Sequence, residues 1–153
     1  MEDKTLELED FLPYRLSVLS NTVSAAIAEA YSERFGLTIP EWRVMAVLGR
    51  FPGISAAEVA ERTAMDKVAV SRAVSRLLDA GRIRRSFADA DRRRSILNLS
   101  AVGRRIHRRI APILLQYEAE LLSALDADER RLLETMLARL DAQARRLGRP
   151  EIG

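Results

Sequence analysis

The sequence predicts a mainly α-helical protein with one small β-hairpin. Hydrophobic residues make up 48% of the 153 positions, enough for a real core, whereas aromatic residues make up only 5% and Gly and Pro number 7 and 5. This composition favours helices over an all-β fold. Apolar residues recur at spacings of three and four along most of the chain, and one stretch after residue 82 alternates with a period of two.

A long first helix is predicted over residues 10–35. Its apolar residues recur every three or four positions, so they would share one face of the helix. They are Leu12, Leu16, Leu19, Val23, Ile27, Ala30 and Tyr31. Gly36 follows and can end the helix, because glycine readily adopts the left-handed conformation of a helix C-terminus.

A second helix is predicted from a cap at Thr38 to Arg50. Thr38 can accept a hydrogen bond from the first turn, Pro40 suits that turn because its missing amide is not needed there, and Glu41 completes a capping-box pattern. The Pro-Gly pair at 52–53 breaks the helix.

Two further helices separated by a brief turn are predicted next. Ser55 and Glu58 form a second capping-box pattern that opens a short helix to about Arg62. Asp66 is a good N-cap for the following helix, which ends near residues 80–81. Its apolar stripe consists of Val70, Val74, Leu77 and Leu78. The residues off that stripe are polar: Lys67, Ser71, Arg72, Ser75 and Arg76.

A β-hairpin with a basic tip is predicted after this helix. Residues 82–87 alternate as in a strand, residues 88–94 form a polar loop, and residues 95–99 form the returning strand. Six arginines and two aspartates lie between residues 82 and 94, a local excess of +4, whereas the whole chain carries only +3. The positive charge is therefore concentrated at the hairpin.

Two long helices are predicted to complete the chain. Ser100 can cap a helix that runs to Leu125, and Asp126 with Glu129 forms one more capping signature. The last helix carries an apolar face made of Leu132, Leu133, Met136, Leu137, Leu140, Ala144 and Leu147. The terminal helices have more apolar surface than a small domain could cover. This surface could be buried in an intrachain helical bundle or in an interface with a second copy of the chain.

The order of the central elements is that of a winged helix-turn-helix. A helix fits the major groove of double-stranded DNA, and hairpin arginines can grip the phosphates or enter the minor groove. The candidate DNA-binding residues are Lys67, Ser71, Arg72, Ser75 and Arg76 on the helix, and Asp91, Arg92, Arg93 and Arg94 on the hairpin. The alternative is that the charged hairpin is exposed to solvent and binds nothing. Its position directly after such a helix favours the DNA-binding interpretation.

Several motifs in this region resemble the MarR family of bacterial transcription regulators. The most specific are residues 66–72 (DKVAVSR), 91–93 (DRR) and 97–103 (LNLSAVG), and the similarity covers nearly the whole chain. The resemblance implies a winged helix-turn-helix DNA-binding lobe at 37–99. It also implies a helical dimerisation lobe, made of 1–36 and 100–153, through which a homodimer forms.

The resemblance also implies roles for the hairpin. In the family, the aspartate corresponding to Asp91 pairs with an arginine and orients the wing, and the arginine corresponding to Arg93 enters the minor groove. Arg72 and Arg76 are the candidates to pair with Asp91, and an ion pair at the base of a flexible arginine reduces its loss of entropy on binding. The alternative for Asp91 is an ordinary turn residue.

Many members of the family release DNA when a small aromatic or phenolic effector binds. The resemblance implies a pocket between the first helix and the DNA-binding lobe, with these candidates: Arg15, Leu19, Thr22, Ala26, Trp42, Arg43 and Ala46. Trp42 fits a plain core role equally well. The expected function is a repressor of nearby genes released from a palindromic operator; the alternative is an activator or anti-silencer without an effector.

Other function classes find no support in the sequence. The absence of cysteine excludes disulfides and thiol sensing, and the single histidine, His107, has no evident partners for a metal site. No nucleophile–base pair or phosphate-binding loop indicates an enzyme, and we expect no cofactor. Charged residues make up 31% and no apolar run reaches about 20 residues, so we expect a cytoplasmic protein without a membrane span.

Overall fold

The computed structural model describes residues 5–87 and 95–152 and confirms the mainly helical class with a two-stranded hairpin. The elements are a 3₁₀ turn (Leu8–Asp10), α1 (Leu12–Phe35), α2 (Ile39–Arg50), α3 (Ala56–Thr63), α4 (Lys67–Asp79), β1 (Ile83–Phe87), β2 (Ser95–Leu99), α5 (Ala101–Leu122) and α6 (Ala127–Leu147). The helix-turn-helix order and the wing strands therefore follow the sequence prediction.

The start of α1 differs from the prediction by two residues. The helix begins at Leu12 and carries Pro13 in its first turn, where the missing amide costs no hydrogen bond. Residues 8–10 form the separate 3₁₀ turn. At the other end Gly36 has φ 63° and ψ 26°, the left-handed conformation expected of a glycine that ends a helix.

Most of the predicted caps form. Thr38 and Glu41 make both hydrogen bonds of a capping box, and so do Asp126 and Glu129. At α3 only half of the box forms: Ser55 Oγ accepts from the Glu58 amide at 3.2 Å, but the Glu58 carboxylate accepts from the Ser55 hydroxyl at 3.5 Å rather than from its amide.

The hairpin is antiparallel, and one of its strands departs from the predicted alternation. Ile83 pairs with Leu99, and Arg85 pairs with Leu97. On β2 the alternate residues Leu97 and Leu99 are buried, whereas on β1 only Ile83 is buried and the rest of the strand is exposed. The alternating pattern of β1 therefore does not mark a buried face along the whole strand, because β1 leaves the core after its first residue.

The described residues fall into two compact units, one up to Leu114 and one from Leu115 onward. The first contains a continuous apolar core, with Tyr31, Leu37, Trp42, Val44, Met45, Leu48, Val59, Val70, Val74, Leu77, Ile83, Leu97, Leu99 and Ile110 among its buried side chains. The second holds the end of α5 and all of α6. Within residues 5–87 and 95–152, no helix is both long and apolar enough to cross a membrane.

The predicted end of α5 at Leu125 is wrong by three residues. The helix ends at Leu122, and the chain turns before the Asp126 cap. Arg130 stabilises this turn, because its Nε donates to the carbonyl oxygens of Leu122 at 2.9 Å and Leu125 at 3.1 Å. The Leu122 carbonyl also accepts from the Leu125 amide at 3.0 Å, so the side chain of Arg130 reinforces a turn that the backbone already closes.

Candidate nucleic-acid interface

Helix α4 separates its apolar and polar residues onto two faces. Val70, Ala73, Val74 and Leu77 are buried in the core. The five predicted DNA-binding residues of this helix are all exposed, and they are Lys67, Ser71, Arg72, Ser75 and Arg76. Their spacings of three, four and five positions place them along neighbouring rows of one side of the helix. The structure therefore brings these five residues together on a surface that a partner can reach.

The start of α4 is held rigidly by local hydrogen bonds. Asp66 Oδ1 accepts from the amides of Val68 at 2.7 Å and Ala69 at 3.4 Å. In the preceding turn the Thr63 hydroxyl donates to the Val59 carbonyl at 2.8 Å, and Ala64 takes a left-handed φ of 52°. This turn, with its unusual backbone at a non-glycine residue, sets the angle between α3 and α4.

A buried carboxylate connects α2 to the polar face of α4. Glu41 Oε2 accepts from the Thr38 amide at 3.2 Å, which completes the cap of α2. Its Oε1 lies 3.9 Å from a guanidinium nitrogen of Arg76, whose side chain is 65% exposed, against 8% for Glu41. The sequence predicts Glu41 only as a cap, because its contact with Arg76 bridges residues far apart in the chain.

The tip of the wing lies outside the described residues. Asp91, Arg92, Arg93 and Arg94 all belong to it, so their DNA-binding roles, and the pairing of Asp91 with Arg72 or Arg76, stay predictions. Within the described part of the chain, the partner of Arg76 is Glu41.

The arginines of the wing base have two different roles. Arg82 donates to the carbonyl oxygen of Phe35, so it anchors the hairpin to the end of α1. Arg84 and Arg85 are exposed and, with Ser86 and Asn98, line a shallow cleft of about 230 Å³. Neither arginine was among the predicted site residues, although both belong to the arginine-rich run that points to the hairpin.

The predicted effector residues fall into an exposed group on α1 and a packed group on α2. Arg15, Leu19, Thr22 and Ala26 are exposed on α1. The packed group consists of Trp42, Arg43 and Ala46, which are buried or half-buried. Their assignment to an effector pocket stays a prediction.

Contacts around Trp42 show that it contributes to the core. Its ring stacks on Tyr31 with centroids 5.7 Å apart and meets His107 at 5.5 Å. Burial raises the pKa of Tyr31, and the positive charge of Arg43 partly offsets this. The Arg43 guanidinium itself donates to Ser24 Oγ at 3.2 Å, so it connects α2 to α1.

Metal chemistry finds no donor set among the residues that the structure describes. Nowhere in residues 5–87 and 95–152 do three or more His, Asp or Glu side chains cluster so as to hold an ion.

Comparison with protein families identifies the chain. The model of the MarR family matches residues 35–94, which include α2, α3, α4 and the first strand of the wing, β1, and end just before β2. The HTH-type transcriptional repressor Rv2887 of Mycobacterium tuberculosis is 31% identical over 131 residues, which cover 85% of this chain and 91% of the relative.

Solved structures with the same fold span nearly the whole chain. A MarR/EmrR family transcriptional regulator from Acinetobacter sp. ADP1 superposes with a TM-score of 0.84 at 23% identity, over 92% of this chain and 99% of that one. The PcaV transcriptional regulator from Streptomyces coelicolor, solved in complex with its natural ligand, gives a TM-score of 0.74 at 25% identity, over 92% and 98% of the two chains. The chain belongs to the MarR family of transcriptional regulators.

Proposed function

We propose that this regulator is a repressor of nearby genes that binds a palindromic operator as a homodimer. The observation that carries the proposal is the exposed polar face of α4, which is anchored to the core by its opposite side. A helix held in this way can enter the major groove without losing its own packing. The relationship to the M. tuberculosis repressor supports repression as the outcome.

The side chains of α4 suit two kinds of DNA contact. Ser71 and Ser75 are short and can donate to or accept from base edges at close range. Lys67, Arg72 and Arg76 are long and positively charged, so they can reach phosphates or the acceptor edge of guanine. We therefore assign sequence reading to the serines and Arg72, and positioning on the DNA backbone to the other cations.

The wing supplies a second contact in this proposal. Arg93 enters the minor groove, Asp91 orients it, and Arg92 and Arg94 contact phosphates. The concentration of positive charge at residues 82–94 supports this assignment, since narrow minor grooves attract arginine. The exposed Arg84 and Arg85 extend the same basic surface along the strand.

Dimerisation through the terminal helices is supported by apolar side chains that the single chain leaves exposed. Leu12, Leu16 and Leu19 are exposed on α1, and so are Leu132, Met136, Leu137 and Leu140 on α6. Apolar surface of this extent marks an interaction site in a soluble protein. A two-fold dimer would present two α4 helices about 34 Å apart, which matches successive major grooves.

A small aromatic or phenolic effector is the proposed signal for release. The family relationship and the natural ligand of PcaV support this part of the proposal. We place the effector at the residues predicted from the sequence, where Arg15 or Arg43 would meet its polar group. It would weaken DNA binding only through unequal affinity for the two arrangements of the recognition helices.

Selection of bound sequences from a random DNA pool, followed by anisotropy titrations at several salt concentrations, tests the DNA-binding proposal. We expect an inverted repeat and a steep loss of affinity with salt. Replacement of Arg93 by Ala should weaken operator binding by about 1–3 kcal/mol and leave the fold intact. Arg145→Ala is the matched control, because Arg145 is an exposed arginine of α6 that pairs with Asp141 at 3.0 Å.

Two results would contradict the proposal. Recovery of no consensus from the pool would exclude a sequence-specific regulator, and equal affinities of the Arg93→Ala and Arg145→Ala variants would exclude the wing assignment. Screening of phenolic compounds by thermal shift against the protein–operator complex addresses the effector separately. A regulator that binds its operator but responds to no compound would fit an activator or anti-silencer without an effector.

A further inference from the structure

A cleft of about 300 Å³ opens between the end of α2, strand β2 and the first half of α5. Its lining consists of Leu48, Gly49, Pro52, Asn98, Leu99, Arg104, His107 and Arg108. None of these residues is among the predicted effector residues, so the cleft is a distinct candidate site. Its volume is at the lower end of the range in which proteins bind small molecules.

The lining divides into an apolar floor and a basic rim. Leu48 and Leu99 belong to the buried core, and Pro52 adds a further apolar wall. Arg104 and Arg108 lie one helical turn apart on the same side of α5, beside the imidazole of His107 and the amide of Asn98. No carboxylate is present among the described lining residues, so the rim is positively charged and rich in hydrogen-bond donors.

Two of the rim side chains are held in place by the fold. A guanidinium nitrogen of Arg104 donates to the Leu99 carbonyl at 3.1 Å, which fixes this side chain at the start of α5. The His107 imidazole lies against Gly49, where even a Cβ would come within 2.6 Å of Nε2, and its other side meets Trp42. Preorganised donors of this kind lose little entropy when a ligand binds.

We infer that this cleft binds a compact organic anion, with its apolar part on Leu48, Pro52 and Leu99 and its carboxylate or phosphate group at Arg104 and Arg108. Guanidinium groups suit both acids, because their fork of N–H donors matches two oxygens at once. Asn98 adds a neutral donor to the same lining. An uncharged ligand would gain no charge-assisted hydrogen bond from these two side chains.

The inference rests on the proposed function in one respect, which is the effect on DNA. Asn98 and Leu99 belong to the strand that returns from the wing, and Arg104 is bonded to that strand. A ligand that contacts both would favour one position of the wing base over others. Ligand binding would then change the affinity for the operator. The factor is set by the ratio of the ligand's affinities for the different positions of the wing base.

Trp42 provides the measurement, because it is the single tryptophan of the chain and contacts His107 at the edge of the cleft. The 153-residue protein without DNA is titrated with cyclohexanecarboxylate, with its neutral amide and with inorganic phosphate, at constant ionic strength. We expect a saturable change of Trp42 fluorescence with the carboxylate and none with the amide. A response to phosphate of equal affinity would show that the apolar floor contributes nothing, and would overturn the assignment to an organic anion.

Variants of α5 locate the binding site. Arg108→Gln should weaken the carboxylate about tenfold or more, the usual value of one charged hydrogen bond. Arg105→Gln is the matched control, since Arg105 is exposed on the same helix and lies outside the lining. Equal affinities of the two variants would overturn the inference. Because no DNA is present, this failure would leave the DNA-binding proposal intact, and a failed operator titration would leave the ligand measurement intact.

Discussion

At the scale of single residues, Gly103 is the position where the fold has least room for a side chain. A Cβ built on it would lie 1.9 Å from the carbonyl oxygen of Arg82, a backbone atom that cannot rotate away. The same junction is held by Ser100, whose Oγ accepts from the Gly103 amide at 3.0 Å and whose hydroxyl donates to Gly81 at 2.7 Å. Helix α5 therefore begins in direct contact with the turn between α4 and β1.

Replacement of Gly103 by Ala should destabilise the protein by about 1–3 kcal/mol or more, because the added methyl group forces backbone atoms apart. Urea denaturation followed by circular dichroism measures the change. Val102→Ala is the control at the neighbouring exposed position, with an expected change within about 0.5 kcal/mol. Equal midpoints for the two variants would show that α5 can shift without cost.

His107 should make the stability depend on pH. Burial lowers the pKa of His107 below its ordinary value of 6.5, so the unfolded state binds the proton more tightly than the folded state. The stability is therefore complete above pH 6.5 and declines as the pH falls toward the folded pKa. The urea concentration at the unfolding midpoint should decrease when the pH is lowered from about 7.5 to about 5.5. The decrease should be smaller in the His107→Gln variant. An identical slope in both proteins would contradict this.

Local hydrogen bonds were predictable from the sequence at this scale, whereas distant ones were not. Thr38, Asp66 and Asp126 cap helices as predicted, because a cap and its partners lie within three residues of each other. The bond from Arg82 to the Phe35 carbonyl spans 47 residues, and no local pattern announces it. The contact of His107 with Trp42 was missed for the same reason.

Among the elements, α4 begins at a single capping residue. Asp66 alone accepts from two amides of the first turn, and its negative charge also favours the positive end of the helix dipole. In the preceding turn Thr63 Oγ1 accepts from the Met65 amide at 3.4 Å and donates back to α3, so it makes no bond to α4 itself. The position of the polar face of α4 therefore relies on this cap.

Replacement of Asp66 by Ala should lower the free energy of unfolding by about 1 kcal/mol, the usual loss of an N-cap. Asp66→Asn is the matched control, since asparagine caps equally well and removes the same charge. Thermal unfolding of both variants, with operator titrations alongside, separates the cap from the charge. If Asp66→Asn destabilises the protein as much as Asp66→Ala, the negative charge of Asp66 rather than its hydrogen bonds stabilises the start of α4.

The bounds of the elements were predicted least well where tertiary contacts decide them. Helices α2 and α4 match their predicted ranges closely because caps and breakers flank them. Strand β1 was predicted from alternation, yet Arg85 and Phe87 on the same side as Ile83 are exposed. An alternating pattern predicts a strand, but a side chain is buried only where another part of the fold packs over it. The local sequence does not show whether such a layer is present.

At the scale of the whole molecule, the single chain leaves a large apolar area on α6. No residue of this helix, all of which the structure describes, is buried, although Leu132, Met136, Leu137 and Leu140 line one side. From the family relationship, we expect a second copy of the chain to bury this apolar face of α6. Periodicity predicted the apolar face itself, but an intrachain core and an interface between copies produce the same pattern.

The 153-residue protein should therefore sediment as a dimer at about 10 µM, a concentration at which stable homodimers remain associated. Leu140→Glu should shift it toward monomer, because a charge buried in an apolar interface is costly. Ala142→Glu adds the same charge on the opposite side of the helix, at an exposed position, as a control. A wild-type protein that sediments as a monomer would exclude the dimer, and dissociation of both variants alike would exclude the interface on this face of α6.

The ion pair between Glu41 and Arg76 implies an internal competitor for DNA. A phosphate that approaches Arg76 competes for its guanidinium with a carboxylate that the cap of α2 holds in place. In the proposed interface this cost would be the same for every DNA sequence, so it would weaken nonspecific and operator binding alike. Discrimination would then depend on the residues proposed to read bases, Ser71, Ser75 and Arg72. Glu41→Gln, which preserves the capping box, should bind unrelated DNA more tightly than the wild type, and unchanged affinity would show that the pair does not compete.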